Sequence, residues 1–156
     1  MKTILLALIL LPFFVTAQKT ITLDPEQDPI ARRSPNGSLE LAVPPRVLIA
    51  SLEATIPDMV VGIDTFELIK MGKSNYLIAR SNNKTTTMRT VMAFLLQETT
   101  PNQFLADGLF LSCSGSGECR ECSFPATCSC LKGAGGCILS ATMAIKLHKV
   151  SVSVPN

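Results

Sequence analysis

Residues 113–137 read CSGSGECRECSFPATCSCLKGAGGC and hold every cysteine of the 156-residue chain: Cys113, Cys119, Cys122, Cys128, Cys130 and Cys137. The spacing is C-x5-C-x2-C-x5-C-x-C-x6-C, with glycines at 115, 117, 133, 135 and 136 giving the loose backbone that close cross-linking needs. An even number of cysteines packed into one segment reads first as three disulfides whose connectivity the spacing leaves open. Cys128 and Cys130 are too close to bond to each other comfortably, so each is expected to bond outward to a different partner. A bridge closing about 15 residues contributes roughly 3 kcal/mol on a chain-entropy estimate, enough to order a segment with little core of its own.

A second use of the same residues is thiolate metal binding. Cys119-Arg120-Glu121-Cys122 and Cys128-Ser129-Cys130 are a C-x2-C and a C-x-C, making Cys119, Cys122, Cys128 and Cys130 the alternative ligand set for Cu(I) or zinc. The spacing fits neither a zinc ribbon nor a standard iron–sulfur motif. A dithiol oxidoreductase built on Cys119 and Cys122 would want the first cysteine at a helix N-terminus, and Pro125 follows too closely. No cofactor is expected.

The compartment follows from the other end of the chain. Met1-Lys2-Thr3 carries one positive charge, residues 4–15 (ILLALILLPFFV) are uninterruptedly apolar, and Val15-Thr16-Ala17 supplies small residues before Gln18. Residues 1–17 are expected to be a removable signal peptide, since twelve apolar residues fall short of the about 20 that span a bilayer. The processed chain is expected to be secreted or periplasmic, with no transmembrane anchor.

Composition then excludes several functions. Without Lys2 the chain has 13 basic against 12 acidic residues, which gives no electrostatic footprint for nucleic acid. Trp is absent, Tyr76 is the single tyrosine and five Phe follow residue 17, too few to build a stacking platform for bases or sugars. One histidine, His148, leaves little for a Ser–His–Asp or Cys–His mechanism, and a surface or packing role is expected of it. Carboxylate chemistry stays open, because Asp58, Asp64, Glu67, Glu98 and Asp107 are free to meet in space. Asp24, Glu26 and Asp28 have the alternate spacing of a calcium loop, but Pro29 stands where such a loop needs glycine. Arg32-Arg33 reads as a solvated loop rather than a processing site.

Working along the remainder, residues 19–23 (KTITL), 38–43 (SLELAV) and 150–154 (VSVSV) alternate as half-buried strands do. Asn36-Gly37 marks a turn, and Pro44-Pro45 ends the second strand. Residues 47–52 (VLIASL) suit a buried strand or a short helix equally. Within 59–71 (MVVGIDTFELIKM), Asp64 or Thr65 is positioned to cap a short helix that Gly72 would end, and residues 76–79 (YLIA) read as a strand. In 85–97 (TTTMRTVMAFLLQ), Met88, Val91, Met92, Leu95 and Leu96 form the stripe of an amphipathic helix, and a helix is predicted there. Pro101-Asn102 breaks the run, and Asp107-Gly108 predicts a tight hairpin within 104–111 (FLADGLFL). Ile145 and Leu147 are out of phase with the terminal strand, so a bulge is expected near His148-Lys149.

The resulting expectation is a small, strand-rich α+β single domain with one or two short helices; mainly β sandwich is the alternative. Residues 18–112 would form the strand-rich core and 113–137 a stapled Cys/Gly/Ser-rich region. Residues 138–156 would complete the same domain by returning to the sheet along 149–154. The expected function is a non-enzymatic binding or structural module whose stapled loops meet an unknown protein or surface partner, not nucleic acid.

Overall fold

A computed structural model describes residues 18–57, 62–81, 90–119, 121–124, 127–142 and 145–155. Residues 1–17, and Met88 with the threonines before it, lie outside that set. In chain order the elements are β1 (Gln18–Leu23), β2 (Ala31–Arg33), β3 (Leu39–Leu41), α1 (Pro45–Thr55), β4 (Ile63–Met71) and β5 (Ser74–Ser81). Then come β6 (Thr90–Thr100), β7 (Gln103–Gly115), β8 (Glu121–Ser123), β9 (Ser129–Lys132), β10 (Cys137–Thr142) and β11 (Val150–Pro155). A strand-rich α+β domain results, as its composition leads one to expect.

An antiparallel meander of β4, β5, β6 and β7 forms the centre. β2 pairs with the start of β7 and with β3, while β10 pairs with the later half of β7. The order is β3-β2-β7-β6-β5-β4, and β3 also packs against β4, so the sheet curls almost into a barrel. Turn chemistry places the bends. Gly37 has φ +87° between β2 and β3, and Asn102 has φ +67° between β6 and β7, where the preceding proline is preset for the turn.

The sheet is covered on both faces, and successive residues of its strands go to opposite covers. Leu77, Ala79, Met92, Phe94, Leu96 and Phe110 pack with Val47, Leu48 and Leu52 of α1. Ile78, Val91, Ala93 and Cys113 pack with Cys119, Cys122 and Phe124. This double cover corrects the helix predicted over 85–97. The described part of that run, β6, is a central strand buried on both faces, so it shows a continuous apolar sequence instead of alternation. The apolar stripe at helical spacing is incidental to that.

Two other expectations change for similar reasons. Residues 63–71 form strand β4 rather than a capped helix, and Gly72 (φ +58°) begins the Gly72-Lys73 hairpin loop to β5. No hairpin forms at Asp107-Gly108. Instead β7 runs through it with a bulge: Phe94 opposes Phe110 but Leu96 opposes Ala106, and Gly108 takes φ +68° inside that offset.

The 47–52 ambiguity resolves as helix. Pro45 sits at the start of α1, where its fixed φ suits a helix and its missing N–H costs nothing. The helix stops before Pro57, which disfavours helical φ/ψ at Ile56. Val47, Leu48, Ser51 and Leu52 form its buried face.

β11 does not rejoin the main sheet, as 149–154 was expected to. It pairs with β1 over its whole length as a separate ribbon beside α1. Nor is there a bulge at His148-Lys149, since residues 145–149 lie outside any ladder. Ser51 Oγ donates to the His148 carbonyl at 2.7 Å, and His148 N donates to Thr55 Oγ1 at 2.9 Å. Leu147 is thereby buried and Ile145 half-buried in the helix-side core, which explains their broken phase.

Candidate functional site: the stapled layer

β8 and β9 form a small hairpin of their own, lying against the sheet face opposite α1. Three bridges fasten it: Cys113–Cys128, Cys119–Cys130 and Cys122–Cys137, with Cα–Cα distances of 5.6, 5.7 and 6.4 Å. Those separations lie in the span disulfides require. The first cysteine bonds the fourth, the second the fifth and the third the sixth, so all three loops interlock. Cys128 and Cys130 bond outward to different partners as expected, and Cys119 and Cys122 are not bonded to each other. Disulfides of this kind fit an oxidising, extracytoplasmic compartment.

Glycines make the close approach possible. A Cβ on Gly115 would stand 3.1 Å from the Cys119 carbonyl oxygen and 3.3 Å from Cys122 Sγ. At Gly135 (φ +150°) a Cβ would run into the Ser116 carbonyl oxygen and come within 2.9 Å of Cys119 N. Only glycine fits that conformation and that gap.

The sulfur atoms converge beyond their own bonds. Cys119 Sγ lies 3.5 Å from Cys137 Sγ although the two are not bonded. Two triads have all their sulfurs within 4.8 Å of one another, each a bonded pair joined by a third sulfur: Cys113 beside the Cys122–Cys137 bridge, and Cys137 beside the Cys119–Cys130 bridge. The set chosen from the spacing, Cys119, Cys122, Cys128 and Cys130, is not one of these groups. β8 and β9 divide it, and β10 brings in Cys137 from the far end of the segment. Cys113, Cys119 and Cys122 are buried, while Cys128, Cys130 and Cys137 are half-buried.

This layer leaves three large apolar side chains open to solvent. Leu131, Ile138 and Leu139, exposed by 59, 61 and 57 %, are the large hydrophobic side chains most open to solvent among the described residues. Leu131 lies on β9, the other two on β10. β10 has only β7 as a ladder partner among the described residues, and its sequence CILSAT has neither charge nor proline to protect the other edge. Within 138–156, expected only to complete the domain, residues 138–142 had no role of their own. The uncharged, proline-free run after Cys137 was the signal that could have marked them.

The remaining candidates are occupied structurally. Asp28 Oδ2 accepts from Asp24 N at 2.7 Å, Asp24 pairs with Lys149 at 3.0 Å and Glu26 with Lys146 at 2.7 Å, so the acidic loop is tied to the end of the chain. The Lys149 hydrogen bond holds the Asp24 carboxyl below its ordinary pKa, and the Glu26 hydrogen bond raises that of Lys146. Arg32 and Arg33 lie in strand β2, not a loop: Arg32 pairs with Glu40, and Arg33 stacks over the Phe104 ring at 5.3 Å. Glu67 pairs with Arg80, and Glu98 accepts from Asn102 N. Asp107 lines an open cleft of about 480 Å³ whose other charged residues, Glu26 and Lys146, are paired with each other. His148 is exposed on the helix side. Asp58 lies outside the described residues. Among those residues, no helix is long and apolar enough to cross a membrane.

No protein-family model, no curated protein and no solved structure matches the chain.

Proposed function

We propose that the chain is exported with loss of residues 1–17 and acts as a non-enzymatic binding module. Its stapled layer offers the edge of β10 to an extended apolar segment of a partner protein, which adds as a further strand. The observation that carries this reading is the concentration of exposed large apolar side chains on β9 and β10, beside a β10 edge with no ladder partner among the described residues. Free backbone groups on an edge select an extended partner, and Ile138 and Leu139 select an apolar one. A second folded copy suits the site less well. Six residues of ladder run about 20 Å, little beside the roughly 800 Å² per partner of a stable interface. The bridges hold the edge in shape before binding, which lowers the ordering cost.

The test uses an acetylated eight-residue peptide of alternating valine and threonine with lysine at both ends. Saturable binding should slow hydrogen exchange at β10 amides and be lost in Leu139→Lys and on reduction of the bridges. Binding that leaves β10 exchange unchanged, or dimerisation of the chain through β10 instead, would overturn the reading. Export has its own test in the intact mass of protein recovered from exporting cells. A chain starting at Gln18, six hydrogens light for its three bridges and unchanged by alkylation without reductant, is the expected result.

A further inference from the structure

The six sulfurs lie closer together than three separate staples require. The geometry points to a second, exclusive use: we infer that the reduced chain binds two Cu(I) ions, one in each cysteine triad, with Cys137 shared between them. The inference stands apart from whatever docks on β10.

Three features favour monovalent copper. Each triad is made of sulfur alone, and thiolates select soft cations. Each offers three ligands, whereas structural zinc takes four in a tetrahedron. Among the described residues no fourth cysteine, histidine or carboxylate ligand atom lies within 4.8 Å of all three sulfurs of either triad, and His148, the single histidine, is bonded to Thr55 of α1, beside the opposite face of the sheet. Finally, Cys113 and Cys122 of one triad and Cys119 of the other are buried among Ile78, Val91, Ala93 and Phe124, which shields the site from competing water.

The chemistry balances with a dithiol as reductant. Three equivalents supply six electrons and six protons, opening three bridges to six thiols and leaving three oxidised dithiols. Each thiol that ligates copper releases its proton to solvent. Oxidation of the thiols would expel the metal, so bridge and copper compete for the same atoms.

Cys128 belongs to neither triad and Cys137 to both, which gives a control matched for thiol count. The full chain, reduced and desalted without oxygen, is titrated with Cu(I) supplied as its acetonitrile complex. Thiolate-to-copper ultraviolet absorption and native mass follow the binding. The expected result is a plateau at two ions per chain, kept in Cys128→Ser and lost in Cys137→Ser. No bridge exists in the reduced state, so neither substitution acts by removing one. Equal loss in both variants would overturn the inference, as would no binding by the wild-type chain or a preference for a single zinc ion on four thiolates.

Discussion

On one face of the sheet, Met92, Phe94 and Phe110 meet Val47, Leu48 and Leu52 of α1. On the other, Ile78, Val91 and Ala93 meet Cys113, Cys119, Cys122 and Phe124. Among the described residues, the helix side gathers fifteen buried apolar residues and the stapled side seven, of which three are half-cystines. A fully buried Leu or Phe contributes about 1.5–3 kcal/mol, so the helix side can close by packing alone. The stapled side has too few such residues, and its hairpin is fixed covalently instead. The difference shows why all the cysteines stand on one side of one sheet: bridges appear where the apolar cover is thin. It also explains why that side can leave Leu131, Ile138 and Leu139 facing outward, since its order does not depend on burying them.

The largest effect should come from the packed side. Phe110 is 1 % exposed, with its ring centroid 5.1 Å from that of Phe94. Phe110→Ala is expected to cost about 3–5 kcal/mol through lost burial and a residual cavity, read as a lower guanidinium midpoint for the whole domain. A loss under about 1 kcal/mol would mean that this side is loosely packed, ending the contrast between the faces.

The bridges should give the next largest effect, and a more local one. Replacing Cys113 and Cys128 together by alanine opens a loop of 15 residues, worth about 3 kcal/mol. Hydrogen exchange should accelerate at β8 and β9 and stay slow at α1 and in the middle of β6. Faster exchange at α1 to the same degree would show that the two covers fold as one unit, and that the staples serve the entire core.

The sequence disclosed these two regions unequally. The stapled segment was visible in its cysteine spacing, and the edges of the fold in their turns and alternation: Asn36-Gly37, Pro101-Asn102, and Val150, Val152 and Val154. What stayed hidden was the doubly covered centre. Alternation reports a strand with one wet face, and β6 has none over its first half. β4 misled differently, because Phe66 and Leu68 pack toward the helix side while Ile69 packs toward the sulfurs. The sulfur triads were hidden because neighbours in sequence are not neighbours across a hairpin. Cys137 enters both only through the pairing of β10 with β7, a contact between residues 22 apart at the pair Cys137 and Gly115.

The smallest expected effect tests whether charge helps to hold the helix side. Asp24, just after β1, pairs with Lys149, just before β11, and the pair closes one end of that ribbon. The Lys149 hydrogen bond lowers the Asp24 pKa from 3.8, so the unfolded chain takes up this proton at a higher pH than the folded one. The stabilisation is therefore present above the ordinary carboxylate value and is lost as pH falls through the lower folded-state value. Lys146 acts in the opposite sense at the other end of the scale. Glu26 raises its pKa above 10.5, so its contribution is complete below that value and lost as pH rises through the folded one. Both pairs face solvent and weaken with salt. Comparing urea midpoints of wild type and Lys149→Met from about pH 6 to pH 2 should show a small gap in favour of the wild type. The gap should close toward acid and shrink at high ionic strength. If it persists below the folded-state pKa of Asp24, the ion pair is not its source. If the gap rivals that of Phe110→Ala, packing alone does not close the helix side, and the two faces are more alike than their cores suggest.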